Sequence, residues 1–327
     1  MSTGTVDISL IIINWNTKQL LVDCINSIKE QTKSTSYEII VVDNASKDDS
    51  VAVVSSLFPE VKIIVNPENY GFSKANNIGI NQSSGRYVCL VNSDIIVLDN
   101  AIDKLVAHAD TNNAIGLIAP LTVDENNEIR ENCRKFPNLW NLFCEAVYLY
   151  KFFPKSYYLH GRAIPRNHIR KIYRAENLSG CFLMARKEAV DKVGLLDERF
   201  YFYGEDIDWC KRFVKNKYDV VYYSRTTSIH LGGGSTASAP VKYQVEMEKA
   251  NLKYWRKHHI FTSVILYILL NFFQNSLSFT LLTLSSILSN TQRKKNKVKR
   301  KGKIGRMKWL LKALICMNNN ASLTIRN

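Results

Sequence analysis

Several absences narrow the chain before any motif is read. Its seven cysteines never form a C-x-x-C pair, which leaves no ligand cluster for a structural zinc site. Cys89 and Cys181 lie inside apolar runs and read as small core residues of a reducing compartment. The first residues carry no basic n-region and run straight into a strand, so no secretory leader is expected. No Gly-rich, basic loop follows that strand, where a nucleotidyltransferase on a similar sheet would be expected to carry one; Asn14-Trp15-Asn16 stand there instead. No acidic residue occurs from Thr291 onward, although that stretch holds twelve Lys and Arg. The formal net charge of +15 is therefore concentrated in the tail, the rest carrying 32 basic and 29 acidic residues. Such an arm suits anionic lipid. Nucleic-acid binding is not expected, because no recognisable nucleic-acid module accompanies it.

What is present is an alternation of strands and helices. The 327 residues suffice for one large or two modest domains with a sizeable core. Ile8 to Ile13 is an apolar strand ending at Asn14-Trp15-Asn16, and Leu20, Leu21, Cys24, Ile25 and Ile28 follow at helical spacing. Glu38 to Val42 is a second strand, ending at Asp43-Asn44; Lys62 to Val65 is a third, giving way to Asn66 to Phe72. Ser73 to Ile80 and Ala101 to Ala109 read as helices and Ala114 to Ala119 as a strand. Between those helices Tyr87 to Val91 is continuous apolar sequence that stops at Asn92-Ser93-Asp94, as a strand buried on both faces would. The pattern predicts an α/β fold with a twisted, mostly parallel central sheet flanked by helices on both faces. The polar breaks Asn16, Asp43, Asn69 and Asp94 all fall at carboxyl ends of strands, where open α/β sheets bind ligands. Asn92 and Asp94 lie two apart and share a side in extended chain, a geometry suited to a divalent cation carrying a phosphate ester.

The pattern loosens from Glu128 to Ala175. An aromatic stretch, Leu139 to Phe153, reads as a helix; His160 to Arg174 is basic and irregular, either a flap over the site or a solvated loop. Order returns with a strand from Leu178 to Ala185 containing Gly180, a helix from Lys187 to Val193 and a strand from Asp219 to Tyr223 ahead of His230. The helix beginning at Glu205 is informative on a wheel. Ile207, Cys210, Phe213 and Val214 form an apolar stripe that includes Asp206, while Glu205 points towards Arg212 and Asp208 towards solvent. An inward carboxylate needs partners or a function. Asp206 is a general-base candidate with a raised pKa, or an N-cap or buried ion-pair member.

Ile260 to Leu288 is long enough to span a bilayer. Basic residues flank it on both sides, Arg256-Lys257 before and Arg293-Lys294-Lys295 after, which disfavours a single crossing. Two short helices broken near Asn271 to Ser276 and dipping into the cytoplasmic leaflet fit these flanks. So does one interfacial helix; a buried helix pair is the soluble alternative. Lys308 to Met317 reads as a further amphipathic helix.

Taken together, Ile11 to Asn16, Val41 to Ser46, Glu68 to Gly79, Asn92-Ser93-Asp94, Gly180 to Phe182, Val193 to Phe200, Gly204 to Cys210 and His230 resemble the inverting GT-A glycosyltransferases of family 2. The likeness is to the bacterial rhamnosyltransferases of surface polysaccharide synthesis and spans roughly residues 6 to 258. That family often has Asn-Pro-Asp or Asp-x-Asp where this chain has Asn-Ser-Asp. The resemblance implies a Rossmann-like GT-A fold at 1–258, with a nucleotide-sugar-binding half at 1–120 and an acceptor and catalytic half at 121–258. Membrane-associated helices at 259–290 and a polybasic tail at 291–327 would follow. It implies Asp206 as catalytic base, and Asp94 and His230 as ligands of a divalent metal, Mg2+ or Mn2+. Asn14, Trp15, Asn16, Asp43, Asn69, Lys74, Asn76, Asn92 and Asp94 would hold the nucleotide-sugar donor. Gly180, Glu205 and Trp209 would face the acceptor. The activity implied is transfer of a sugar, rhamnose from dTDP-rhamnose or a hexose from a UDP donor, to a saccharide acceptor, lipid-linked, at the cytoplasmic face of the plasma membrane. The non-enzymatic alternative is an inactive carbohydrate- or membrane-binding scaffold.

Overall fold

The computed structural model describes residues 6–165, 172–232, 240–288 and 290–318. The chain divides into two compact units, Met1–Phe136 with Ala163–Ser235, and Pro137–Arg162 with Thr236–Asn327. The segment 137–162 and the helix at 240–258, placed by sequence with the glycosyltransferase domain, thus belong to the second unit.

The first unit opens β1 (Ile8–Asn14), α1 (Lys18–Gln31), β2 (Tyr37–Asp43), α2 (Ser50–Leu57), β3 (Lys62–Val65), α3 (Gly71–Asn81), β4 (Tyr87–Asn92), β5 (Ile95–Val97), α4 (Ala101–Asp110), β6 (Ile115–Val123) and β7 (Cys133–Arg134). The second unit's α5 (Leu139–Ala146) and α6 (Leu149–Phe152) intervene. The first unit resumes with β8 (Tyr173–Arg174), β9 (Asn177–Leu178), β10 (Phe182–Arg186), α7 (Lys187–Val193), α8 (Glu205–Lys215) and β11 (Asp219–His230). The main sheet runs β3-β2-β1-β4-β10-β6-β11-β5, with β8 also on β11. From β3 to β4 every pairing is parallel; β10 then runs antiparallel to both β4 and β6, and β11 pairs parallel with β6 and antiparallel with β5. The parallel expectation therefore describes the first half, and the second half is mixed.

Alternating strand residues feed two cores, because successive side chains leave opposite faces of a sheet. Leu10, Ile12 and Cys89 pack with Leu21, Ile25 and Leu105 beneath α1, α2 and α4. Ile11, Val88 and Leu90 pack with Ala75, Val190 and Trp209 beneath α3, α7 and α8. Chain order reverses direction between β1 and β4, so the crevice at their carboxyl ends is the sheet's switch point.

Two local differences matter for the site. The strand expected from Leu178 to Ala185 is broken at Ser179-Gly180-Cys181: β9 pairs with β7 in a separate ribbon, while β10 joins the main sheet. The three-residue β5, too short for a periodicity signal, pairs with the end of β11 and sets His230 opposite Ile95.

The second unit is helical, adding α9 (Pro240–His258), α10 (Phe261–Leu288) and α11 (Asn290–Asn318) to α5 and α6. The expected break near Asn271 to Ser276 does not occur. Asn271 and Asn275 are buried, and their amide groups donate to the carbonyls of Tyr267 and Asn271, one turn back in the same helix. Capping their own backbone in this way lets two Asn sit inside an unbroken helix. The basic stretch expected as a polybasic tail, with a further helix at Lys308 to Met317, is one helix through Asn318 that packs against α10 and α9. Residues 166–171 of the expected basic flap, His160 to Arg174, lie outside the described residues.

Candidate active site

Asp94 follows β4 at the switch point. Its Oδ1 lies 3.3 Å from His230 Nε2, its Oδ2 accepts from the Gly232 backbone N–H at 3.1 Å, and its carbonyl accepts from Leu231 N–H at 3.0 Å. The β5–β11 ladder produces this clasp, since His230 is in register one residue past Asp94. Burial opposes ionisation of Asp94, but the hydrogen bonds from His230 and Gly232 win and hold its pKa below the usual range. Burial likewise penalises charged His230; hydrogen bonds to Asp94 and Cys181 overcome it and raise the imidazole to about 10. Asp94 and His230 are side chains with 13% and 24% exposure, so the pair is open on one side. No cluster of three metal-binding side chains exists among the described residues. A divalent cation would take the place of the proton that His230 shares with Asp94, and one carboxylate with one neutral imidazole suits a cation that completes its shell with water and substrate phosphate oxygens.

Asp206, in the first turn of α8, is half-buried. Its Oδ2 accepts from Gly180 N–H at 3.2 Å and its Oδ1 from Ile207 N–H at 2.7 Å. Burial raises its pKa, against those two bonds and the more distant charge of Arg134. The break at Gly180 joins the two acids: Gly180 N–H holds Asp206, and the neighbouring Cys181 carbonyl accepts from Asn92 N–H at 2.8 Å, two residues from Asp94.

The other expected donor residues divide into exposed and enclosed groups. Trp15, Asn69, Lys74 and Asn92 are half-buried and Asn16 is exposed. Lys74 Nζ sits 3.6 Å from the centroid of Tyr70. Asn69 Oδ1 accepts from Gly71 N–H and the Tyr201 hydroxyl. Asn14, Asp43 and Asn76, also expected at the donor, are enclosed. Asn14 and Asp43 are register partners on β1 and β2. Asn14 Nδ2 reaches Asp43 at 2.7 Å and Ser50 at 2.8 Å, and Asn14 Oδ1 accepts from Thr17. Strand-end polar groups brought side by side satisfy one another first. Asn76 donates to the Phe72 carbonyl within its own helix.

The residues expected to face the acceptor differ in burial. Trp209 is fully buried in the core and its indole N–H donates to the Gly194 carbonyl. Glu205 is enclosed, and its Oε2 has no hydrogen-bond partner. Gly180 engages Asp206 through its backbone. Asp208, expected to face solvent, is completely buried and pairs with Arg212 at 2.8 Å. The wheel failed there because α8 is packed on more than one side: Arg212 also donates to the carbonyls of Val193, Gly194 and Leu195.

Several supports had no sequence signal of their own. Thr17 and Ser93 hydroxyls meet at 2.9 Å, tying the end of β1 to the Asn-Ser-Asp turn. Asn77 grips Leu196 and Glu198. Tyr201 covers Gly71, whose φ is +77°; an added Cβ there would strike the Tyr201 carbonyl and ring, so only glycine tolerates both demands. The aromatic run at 200–203 was the available hint.

The model of the family described as "Glycosyl transferase family 2" matches residues 9–194, more than half of the chain. The chain belongs to glycosyltransferase family 2. Among curated relatives of this transferase is an N-acetylglucosaminyl-diphospho-decaprenol L-rhamnosyltransferase of Mycobacterium tuberculosis. It is 25% identical over 242 residues, 68% of this chain and 75% of the relative. An uncharacterized glycosyltransferase of Haemophilus influenzae is 30% identical over 44% of this chain and 48% of its own. Among solved structures, a Pyrobaculum calidifontis mannosyltransferase in complex with GDP-Man and Mn2+ aligns at TM-score 0.54 with 13% identity, over 98% of this chain and 89% of that one. GalNAc-T7 with UDP, GalNAc and Mn2+ aligns at 0.55 with 15% identity, over 78% and 51%. At such identities these structures establish the GT-A fold of the transferase and no more.

Proposed function

We propose that this transferase moves rhamnose from dTDP-rhamnose to a lipid-linked saccharide with inversion, Asp206 serving as general base and Asp94 with His230 as the metal-diphosphate site. The observation that carries the reading is the Gly180-Cys181 break, which ties Asp206 to one end of β10 and Asn92, ahead of Asp94, to the same segment. An inverting displacement needs one carboxylate to take the acceptor hydroxyl proton as that oxygen attacks the anomeric carbon. A carboxylate with a raised pKa is a better base than an ordinary one, and Asp206 has that environment. Two backbone N–H groups fix the direction of its lone pairs. A bound divalent ion would be held by Asp94 and His230 and would offset charge on the departing nucleoside diphosphate. Lys74 and Asn69, both half-buried, would contact the donor. The rhamnosyl and lipid-linked parts of the reading rest on the mycobacterial relative.

A membrane location suits this acceptor, and the composition of α10 supports it. Its buried stripe includes Tyr267, Asn271, Asn275, Ser278 and Ser286, whereas Leu266, Leu269, Phe273, Leu281 and Leu284 are exposed. Val264 and Ile268 are buried as well, but a buried side carrying two Asn and two Ser with Leu and Phe left outside is the reverse of a water-facing helix and fits contact with lipid. We place the enzyme at the cytoplasmic face, where the Lys- and Arg-rich α11 would meet anionic headgroups.

The deciding experiment measures nucleoside diphosphate release from a panel of nucleotide sugars, with and without divalent metal, using lipid-linked acceptors. Metal-dependent release from dTDP-rhamnose is expected. Release from a UDP-hexose alone would overturn the rhamnosyl assignment, and release from none would overturn the activity.

A further inference from the structure

The helical unit contains a cavity of about 150 Å3 enclosed by α5, α9, α10 and α11. One buried water needs roughly 10–15 Å3 on such a measure, so the space exceeds that of a structural water. Its wall carries three cations, Arg162, Lys303 and Arg306, against two carboxylates, Glu145 and Glu248. Arg162 is accounted for by Glu145, 3.2 Å away. Glu248 is buried and accepts from the Tyr267 hydroxyl. That leaves one positive charge in excess. The Nε of Arg306 is buried with no hydrogen-bond partner. Lys303 stands one turn before Arg306 on the same face. Burial first, and Arg306 second, pull its pKa down to about 8, against the opposing charge of Glu248. The close approach of α11 to α9 creates the arrangement: at Gly302 an added Cβ would collide with the Gln244 side chain.

Arg306 is half-buried, and a buried guanidinium N–H with no partner is costly unless an acceptor completes it. We propose that this cavity is a binding site for a phosphate or diphosphate group, held by Arg306 and Lys303. A phosphate offers several acceptor oxygens to a guanidinium fork and a flexible ammonium. It also supplies the missing negative charge. Such a group is carried either by a soluble anion or by a phosphorylated lipid. The inference does not depend on the activity proposed above, because none of these residues belongs to the donor or base site.

Binding to the full chain is measured by calorimetry with inorganic phosphate, with inorganic pyrophosphate, and with a prenyl phosphate in neutral detergent micelles. Saturable binding of at least one probe is expected. It should weaken about tenfold or more in Arg306→Gln and in Lys303→Met, and persist in Asp94→Asn, which alters the other phosphate site. Tight binding of the inorganic ions identifies a soluble ligand, and binding confined to the micelles identifies a lipid. Should Arg306→Gln misfold by circular dichroism, Arg306→Lys preserves the charge and must still weaken binding. Absence of binding by all three probes, or binding indifferent to both substitutions but lost in Asp94→Asn, overturns the proposal.

Discussion

Asp206 Oδ2 accepts a hydrogen bond from the backbone N–H of Gly180, 26 residues earlier in the chain, at 3.2 Å. This contact exists because the expected strand through Gly180 is interrupted. A continuous ladder would direct that N–H at a neighbouring strand. The interruption frees it for a side chain, and the carboxylate of α8 takes it.

Asp206→Asn should lower kcat by about 10²–10⁴-fold, the usual range for loss of a general base. The amide keeps the shape but offers one acceptor oxygen to the two backbone N–H groups of Gly180 and Ile207, so circular dichroism should still report a folded protein with a modest loss of melting temperature. Near-normal turnover by a folded variant would remove Asp206 from the mechanism. In the wild-type protein, kcat/KM should fall as pH drops through the raised pKa of Asp206, because only the ionised form accepts a proton. Asp206→Asn should lose this acidic limb.

Chelation should abolish turnover, and Mg2+ or Mn2+ should restore it. His230→Gln should raise the metal concentration needed for half-maximal rate by about 10–100-fold, as perturbation of a metal site commonly does. Activity insensitive to EDTA would refute a role for Asp94 and His230 in holding metal.

Arg212→Met should destabilise the first unit by about 3–5 kcal/mol, the range for removing one partner of a buried ion pair, because buried Asp208 would lose its 2.8 Å contact with Arg212. The double substitution Asp208→Asn with Arg212→Met should recover part of that loss in denaturant titrations. Equal destabilisation by the single and double variants would show that the carbonyl contacts of Arg212, not the ion pair, dominate.

Glu205 tests the sign of linkage. Burial, then the neighbouring Asp206, raise its pKa well above the ordinary carboxyl value. The folded state therefore binds this proton more tightly than the unfolded state. That contribution is fully present below the unfolded pKa and is lost as pH rises through the folded pKa. Glu205→Gln should accordingly melt higher than wild type at neutral pH, by on the order of 2–4 °C for each kcal/mol relieved. The difference should disappear in acid. A melting difference independent of pH would contradict the assignment.

The exposed apolar face of α10 can be tested by flotation. The protein should float with anionic liposomes, and replacing Leu269 and Phe273 with Ser should reduce the floated fraction more than it reduces melting temperature. Salt should weaken flotation only in part, since apolar insertion and basic residues act together. Failure to float with liposomes of any composition would rule out the membrane reading.

The strand–helix alternation and the family were legible in sequence because they depend on short-range pattern. Continuous apolar runs mark strands buried on both faces, as in Tyr87 to Val91, and acids gathered before Trp209 mark a helix start. Tertiary structure decided which polar groups remain reachable. Asn14 and Asp43 end adjacent strands in register and hydrogen-bond to each other, so they are enclosed, while Asn16, two residues later, is exposed. A helical wheel allows one buried side, yet α8 is covered widely enough to bury Asp208 with Arg212. His230 meets Asp94 through a three-residue strand too short to carry a period. In the helical unit, the basic run was visible from charge alone. Its folding against α10 and α9 was not, because the contacts that confine Lys303 and Arg306 join residues far apart in the chain.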